Sequence, residues 1–386
     1  MTRVFLIRHA QAEGNLFRRS HGQYDSLILP DGYRQIAALE QRFADIHIDA
    51  CYSSDLFRTK STAAAVYKPK GLELKLRPKL REIHMGAWED MTWGRLRVEA
   101  HESHMAFIAC AADWQVPGSE TFPQLRKRMA EAINEIVAAH PNQTVAVFSH
   151  GMAIRNYLAH LNGATPNVLA EIPHGDNTSV SLLTFENGAV TVDYHADASH
   201  LTPEISTFAR QSWWRNDKGL PADLNFSFRR YADSDRPFVE AAHEDAWQSI
   251  YGLSCPNLAA FADDTESDAT RSDYGVRIAA LDDQVVGLVQ ISPSSGMEDG
   301  YAHLSFAYLL PEYRHKGFGG QLLGETISLA RKMGRSKLRL YCSRQNAAAQ
   351  AFYKKFDFST IGQIVQVGHT LDVMVLPIST KDCENK

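Results

Sequence analysis

The sequence predicts an α/β protein of two domains, and three observations predict it. Its 386 residues exceed the roughly 250 to 300 at which a single hydrophobic core stops growing. Short apolar runs alternate with longer stretches of helical period in both halves, the pattern of sheets layered with helices. Between the halves, residues 202–225 read "TPEISTFARQSWWRNDKGLPADLN", a short amphipathic helix passing into a Gly, Pro and Asp-rich connector. The expected division is therefore a first domain over 1–200, a helix and linker over 201–224, and a second domain over 225–380.

Taken in order, "RVFLIR" opens the chain as a strand and "PDGYRQIAALEQRF" follows as a helix. "ACYSSD", "TVAVFSH", "SVSLLTF" and "AVTVDYH" read as further strands, with helices at "RTKSTAAAVY" and "TFPQLRKRMAEAINEIVAAH" between them. Trp213 and Trp214 in the connector are expected to pack one domain on the other. The second series starts with "FSFRRY", a helix in "RPFVEAAHEDAWQSIYG" and a hairpin "VRIAALDDQVVGLVQI" turning at Asp282 and Asp283. The strand "AHLSFAYLL", a helix from Gly319 to Met333, the strand "KLRLYC" and the helix "NAAAQAFYKKF" complete it. The acidic run "DDTESD" at 263–268 reads as a solvated loop.

Composition narrows the function. With 44% apolar and 22% charged residues the chain has the make-up of a soluble globular protein, and no apolar stretch reaches membrane-spanning length. Basic and acidic residues number 22 and 23 up to Asn216, then 18 and 22 beyond it, so neither half has the charge of a nucleic-acid binder. Five scattered cysteines without a CxxC pair argue against a disulfide framework or thiolate zinc site. The chain enters its first strand with no secretory pattern, and a cytoplasmic location is expected.

The stretch "VFLIRHAQAEGN", Val4 to Asn15, ends an apolar strand in an arginine and a histidine. Two groups able to carry positive charge there repel and lose hydration unless something negative lies between them. A second apolar strand ends in Ser149, His150 and Gly151, and ligands of open α/β sheets bind outside the carboxyl ends of strands. Arg58 begins a helix after another strand, and its planar fork suits a phosphate oxygen pair. Arginines so placed favour an anion over a metal, and "HESH" at His101 to His104 lacks the spacing of a zinc motif.

These residues carry a resemblance. The triplet Arg8, His9, Ala10 with Asn15 five positions beyond, then "SSDLFRT", "LREIHMGAWED", "PGSE" and "SHG", resembles the histidine phosphatases, the phosphoglycerate mutase-like superfamily, over about residues 1–200. Ala10 replaces the usual glycine, and Gln11 and Ala12 stand where Glu and Thr are common. The resemblance implies a three-layer α/β/α domain with a phosphate pocket of Arg8, His9, Arg58 and His150, with Glu82 as acid. It also places Asn15 and Gln23 at the pocket rim and lets the backbone approach closely at Gly151. No metal is required. A neutral imidazole is a competent nucleophile near pH 7, so His9 is expected to form a phosphohistidine, with Arg8, Arg58 and protonated His150 stabilising the transferring group. Glu82 would protonate the leaving oxygen and later deprotonate water, roles that call for a carboxyl pKa raised toward neutrality. The short path from "GAWED" to the helix at Gln124 favours hydrolysis of a small phosphate ester over a mutase transfer, with Trp88, Trp93, Arg95 and Arg97 as candidates for the leaving-group side.

In the second half, "PEYRHKGFGGQLLGETISLARKMG" sets glycines between a strand and a helix, where backbone N–H groups can hold phosphate oxygens. The order is not that of a Walker loop, and Leu322 occupies the third glycine position of the dinucleotide fingerprint. Arg314, Gly317 and Gly319, followed by "NAAAQAFYKKFDF", instead resemble the pyrophosphate loop and second motif of the GNAT acetyltransferases over about 225–377. That likeness implies a GNAT-like mixed α/β domain that uses acetyl-CoA to acetylate a small-molecule or peptide amine. Arg314, Gly317, Gly319, Gly320 and Asn346 would bind the cofactor, Leu309 would pair with its pantetheine, and Tyr353 would protonate the departing thiolate. Glu298, Asp299 and His303 are the candidates for the base. A regulated phosphatase with a non-catalytic acetyl-CoA-binding domain is the alternative.

Overall fold

The computed structural model describes residues 1–163, 169, 171–211, 224–295 and 299–380. Trp213, Trp214, most of the connector and Glu298 lie outside the described residues. Backbone proximity divides the chain into two compact units, Met1–Met91 with Glu99–Asp223 and Thr92–Val98 with Leu224–Lys386.

In the first unit a six-stranded sheet has the order β3-β2-β4-β1-β5-β6. Its strands are β1 (Thr2–Arg8), β2 (Ala50–Ser53), β3 (Leu74–Leu76), β4 (Thr144–Ser149), β5 (Val180–Glu186) and β6 (Ala189–Asp197). The four strands β3, β2, β4 and β1 are parallel, and β5 and β6 close the edge antiparallel. The helices are α1 (Glu13–Phe17), α2 (Pro30–Phe43), α3 (Phe57–Tyr67), α4 (Trp93–Glu99), α5 (His101–Ile108), α6 (Phe122–Ala139) and α7 (Gly151–Leu161). All but the last residue of α4 belongs to the second unit.

Because successive strand residues face opposite sides, Phe5 and Ile7 of β1 share a face with Ala146 and Phe148 of β4. Against this face pack Leu39 and Phe43 of α2 and Ala63 and Val66 of α3, all buried. Burial of such side chains contributes on the order of 2 kcal/mol each, which fixes where β1 and β4 end. Helix α6 starts on a capping box in which Thr121 and Gln124 satisfy each other's backbone N–H groups.

The second unit is a seven-stranded sheet in the order β12-β13-β11-β10-β9-β8-β7. Its elements run β7 (Ser227–Arg230), α8 (Arg236–Tyr251), α9 (Leu258–Arg271), β8 (Val276–Leu281), β9 (Gln284–Ser292), β10 (Tyr301–Leu309), α10 (Gly319–Lys332), β11 (Lys337–Ser343), α11 (Ala347–Lys355), β12 (Ser359–Gln366) and β13 (His369–Pro377). Among the described residues its one parallel pair, β10 with β11, is registered only from Tyr301–Leu304 against Lys337–Leu340. A bulge interrupts β10 between Leu304 and Phe306, and beyond it β10 runs on to Leu309 beside β9 alone.

Three readings of the sequence change. The acidic run 263–268 is not a loop but part of α9: Arg236 bridges Asp263 and Glu266, and Asp268 accepts from the Gln290 amide. Residues 203–210 run as turns rather than a helix. Strands β3, β12 and β13 and helix α4 were not anticipated; β3 has three residues and β12 is exposed along nearly its whole length, so neither carries a clear hydrophobic alternation.

Candidate active sites

The first site follows from one register. In the parallel pair of β1 with β4, Arg8 stands opposite Ser149, and the His9 N–H donates to the Ser149 carbonyl at 3.0 Å. The two following residues, His9 and His150, therefore emerge together, with ring centroids 5.3 Å apart. His9 Nδ1 lies 2.7 Å from the Ala10 carbonyl; a carbonyl only accepts, so Nδ1 carries the proton and Nε2 keeps its lone pair. Burial, then the Arg58 and Arg8 guanidinium groups and His21, hold the His9 pKa well below the usual imidazole value. The neutral form of the ring is favoured.

Around it are guanidinium groups anchored by backbone carbonyls. Arg58 is fully buried and donates to the Tyr24 and Gly22 carbonyls at 2.9 and 2.7 Å. Burial brings its pKa down to about 10. Arg8 Nη1 donates to the Gly175 carbonyl at 2.6 Å. In both arginines Nε is buried and, among the described residues, has no hydrogen-bond partner; His150 Nδ1 is in the same condition. Buried polar atoms are nearly always paired, and these three nitrogens lie unpaired around His9 among the described residues. A side chain at Gly151 would place its Cβ 3.3 Å from Arg8 Nε, so glycine keeps that approach open.

Glu82 sits across the start of α7. Its carboxylate accepts from the Met152, Ala153 and Ile83 N–H groups at 3.0, 2.9 and 2.9 Å, an arrangement favoured by the positive end of the helix. Its neighbour Arg81 pairs with Asp55 instead, at 2.6 Å. Gln23 bridges the Glu82 carbonyl and the Arg81 guanidinium. Asn15 Oδ1 accepts from the Ala12 N–H at 2.9 Å. Ala10 does not take a positive φ, so alanine fits where glycine is usual.

The structure adds two residues that sequence reasoning did not single out. Asn177, fully buried, donates to the His9 carbonyl at 2.9 Å and reaches Asn15 Oδ1 at 3.3 Å. Ser54 lies 2.8 Å from His150 Nε2. Ser54 stood inside a quoted motif, and Asn177 heads β5 in "DNTSVSLL". Of the leaving-group candidates, Trp88 packs 5.4 Å from Trp114, ring to ring, in a buried aromatic cluster. Trp93, Arg95 and Arg97 fall in the second unit, where Arg97 pairs with Asp282.

In the second unit Arg314 Nε donates to the Leu309 carbonyl at 2.8 Å, and the guanidinium also pairs with Asp245. Gly317 takes φ +88°, and a Cβ at Gly319 would sit 2.9 Å from the Phe352 ring, so a tight glycine turn enters α10 at Gly319 and Gly320. This cradle, with the first-turn N–H groups of α10 behind it, fits a pyrophosphate. Asn346 caps α11, accepting from the Ala349 N–H at 3.0 Å. Tyr353 packs beside Phe352 and Phe358, and burial pushes its hydroxyl pKa up. Asp299 lies 3.9 Å from Arg339, whereas His303 is buried with Nδ1 unpaired among the described residues. Among the described residues no cluster of His, Cys, Asp or Glu could hold a metal ion, and no described helix is long and apolar enough to cross a membrane.

Comparison with known proteins identifies both domains. The family model "Histidine phosphatase superfamily (branch 1)" matches residues 4–198, and "Acetyltransferase (GNAT) family" matches residues 237–358. A protein of Erwinia tasmaniensis named probable phosphoglycerate mutase GpmB is 30% identical over 167 residues, 43% of this chain and 78% of its own length. The metal-independent phosphoserine phosphatase of Arabidopsis thaliana is 30% identical over 209 residues, 52% of this chain and 84% of its own. Among solved structures, Bacillus stearothermophilus YhfR superposes with a TM-score of 0.50 at 27% identity, over 52% of this chain and 99% of that one. The chain is thus an enzyme that belongs to the histidine phosphatase superfamily and carries a GNAT acetyltransferase domain behind its phosphatase domain.

Proposed function

We propose that the first domain hydrolyses small phosphate monoesters through a phosphohistidine on His9, and that the second transfers an acetyl group from acetyl-CoA to an amine. The observation that carries the first reading is the set of unpaired, buried Arg8 Nε, Arg58 Nε and His150 Nδ1 beside a histidine whose Nε2 lone pair is free. His9 Nε2 attacks phosphorus as the ester P–O bond breaks, while the arginines hold the equatorial oxygens. Glu82 gives its proton to the leaving oxygen. Water then attacks phosphohistidine, Glu82 takes the proton back, and inorganic phosphate leaves. Asn15 and Gln23 shape the rim.

The second domain reads through its cradle. Arg314, Gly317, Gly319 and Gly320 would hold the pyrophosphate and the end of β10 at Leu309 would meet the pantetheine. Bound acetyl-CoA supplies the activated acetyl thioester. Tyr353 would return a proton to the thiolate, and Asn346 caps the helix that carries it. A second reading, in which this domain senses acetyl-CoA and regulates the phosphatase, is favoured by one feature. Residues 92–98, only ten positions beyond Glu82, belong to the second unit. There Gly94 abuts the Phe226 backbone, and the Phe226 ring stacks 4.9 Å from Phe318, the residue before Gly319.

The test is phosphate release from a panel of phosphate esters by wild type and His9→Ala, with and without acetyl-CoA and a panel of amines. We expect His9→Ala to lose at least about a thousandfold in turnover and wild type alone to form an acid-labile phosphoenzyme. Equal release by the two proteins would overturn the first reading. An isomerised ester without free phosphate would make the domain a mutase, as the name of the Erwinia relative has it. Consumption of acetyl-CoA with an amine supports transfer, and an altered phosphatase rate without consumption supports sensing.

A further inference from the structure

The hydroxyl network behind His150 determines which of its nitrogens carries a proton. Thr59 Oγ1 lies 2.8 Å from the Leu56 carbonyl and 3.1 Å from the Ser54 carbonyl. Carbonyls only accept, so the single Thr59 proton is committed to one of them. Thr59 Oγ1 is also 2.7 Å from Ser54 Oγ, and with the Thr59 proton given to a carbonyl that bond uses the Ser54 proton. Ser54 Oγ then has only a lone pair to offer His150 Nε2 at 2.8 Å, and Nε2 must be the donor. All three side chains are fully buried, so water does not compete for these bonds.

We propose that Ser54 is a positioning residue for phosphoryl transfer: as an acceptor it holds His150 in the Nε2–H form, with Nδ1 turned to the anion pocket. The inference rests on the phosphatase reading of that pocket. An unprotonated Nδ1 presents a lone pair to phosphoryl oxygen and repels it. His150 therefore serves the anion only after binding a second proton, at Nδ1, and becoming an imidazolium whose Nε2–H still ends on Ser54. Without the anion this cation is disfavoured. Burial works against it first, followed by the charges that face it: Arg58 from α3, His9 from the end of β1, His21 from the loop after α1 and Arg128 from α6. The Glu82 carboxylate, bound to the amides two and three residues beyond His150, is the nearby negative group. The dianion supplies the missing counter-charge, so binding of phosphate should draw a proton into the protein.

Two substitutions disturb the network by different routes. Ser54→Ala removes the acceptor. Thr59→Val keeps the shape but frees the Ser54 proton, which can then turn toward Nε2 and favour the Nδ1–H form. The measurement is nitrogen NMR of the histidine side chains in wild type and both variants, alone and with inorganic phosphate, alongside pH profiles of kcat/KM for p-nitrophenyl phosphate. We expect the Nε2–H form in wild type alone, double protonation with phosphate, and a mixture of forms in Ser54→Ala. In Ser54→Ala, kcat/KM should fall about 10- to 100-fold, with its alkaline limb moved to lower pH. An Nδ1–H form in wild type would overturn the proposal without any variant having to fold. So would an unchanged pH profile and rate in a folded Ser54→Ala protein. Neither result touches the role of His9, which His9→Ala tests separately.

Discussion

At Ala10 the chain departs from the RHG triplet, yet the backbone there needs no glycine. The residue avoids positive φ, its N–H donates to Thr62 at 2.9 Å, and its carbonyl fixes the His9 tautomer. The substitution is therefore compatible with the chemistry. Glu82 is the residue whose role is most open to a kinetic test. Glu82→Gln keeps the size and one acceptor oxygen but cannot transfer a proton. It should slow hydrolysis of an alkyl phosphate by about 10²- to 10⁴-fold, and of p-nitrophenyl phosphate, whose leaving group needs no proton, by clearly less. Equal losses on the two substrates, measured as kcat/KM, would remove the acid role from Glu82. Most of the residues assigned to the first pocket could be read from motifs because each motif brings its chemistry within a few positions. Ser54 and Asn177 could not, since their partners His150 and His9 are 96 and 168 positions away.

Among the elements, those with a clear period were legible: α2, α3, α6 and α10 stand close to where the apolar spacing put them. Helix α9 was missed because its run of carboxylates looks unfavourable as a helix. Its compensation, Arg236, lies on α8 and is invisible in the local sequence. Helix α4 was missed for a different reason: seven residues are too few to show a period, and its packing is decided by close approach. A Cβ at Gly94 would lie 2.4 Å from the Phe226 backbone. Gly94→Leu should therefore push α4 off that strand entry and cost about 1–3 kcal/mol, seen as a lowered unfolding midpoint in urea. An unchanged midpoint would mean that α4 does not depend on this contact.

For the whole molecule, burial of neutral histidines couples stability to pH. His9 and His150 are held well below the usual imidazole pKa, and His200, His243 and His303 are lowered to about 4, in each case chiefly by burial. The unfolded chain binds protons at these groups near pH 6.5, the folded chain only at lower pH. Below about 6.5 the unfolded state holds more protons, so stability is full above that pH and is lost as pH falls toward 4. Thermal midpoints measured from pH 7.5 to 4.5 should fall steadily below about 6.5; a flat profile would show that these rings are not buried as neutral groups. By itself the sequence determined the two α/β domains, the strand-end places of Arg8, His9 and His150 and the glycine turn before α10, because strand-end position and turn chemistry are local properties. Only the tertiary structure decided which nitrogens are free, which hydroxyls orient them and that residues 92–98 join the second unit. Those outcomes depend on parallel register and on the burial of groups far apart in the chain, which no local pattern encodes.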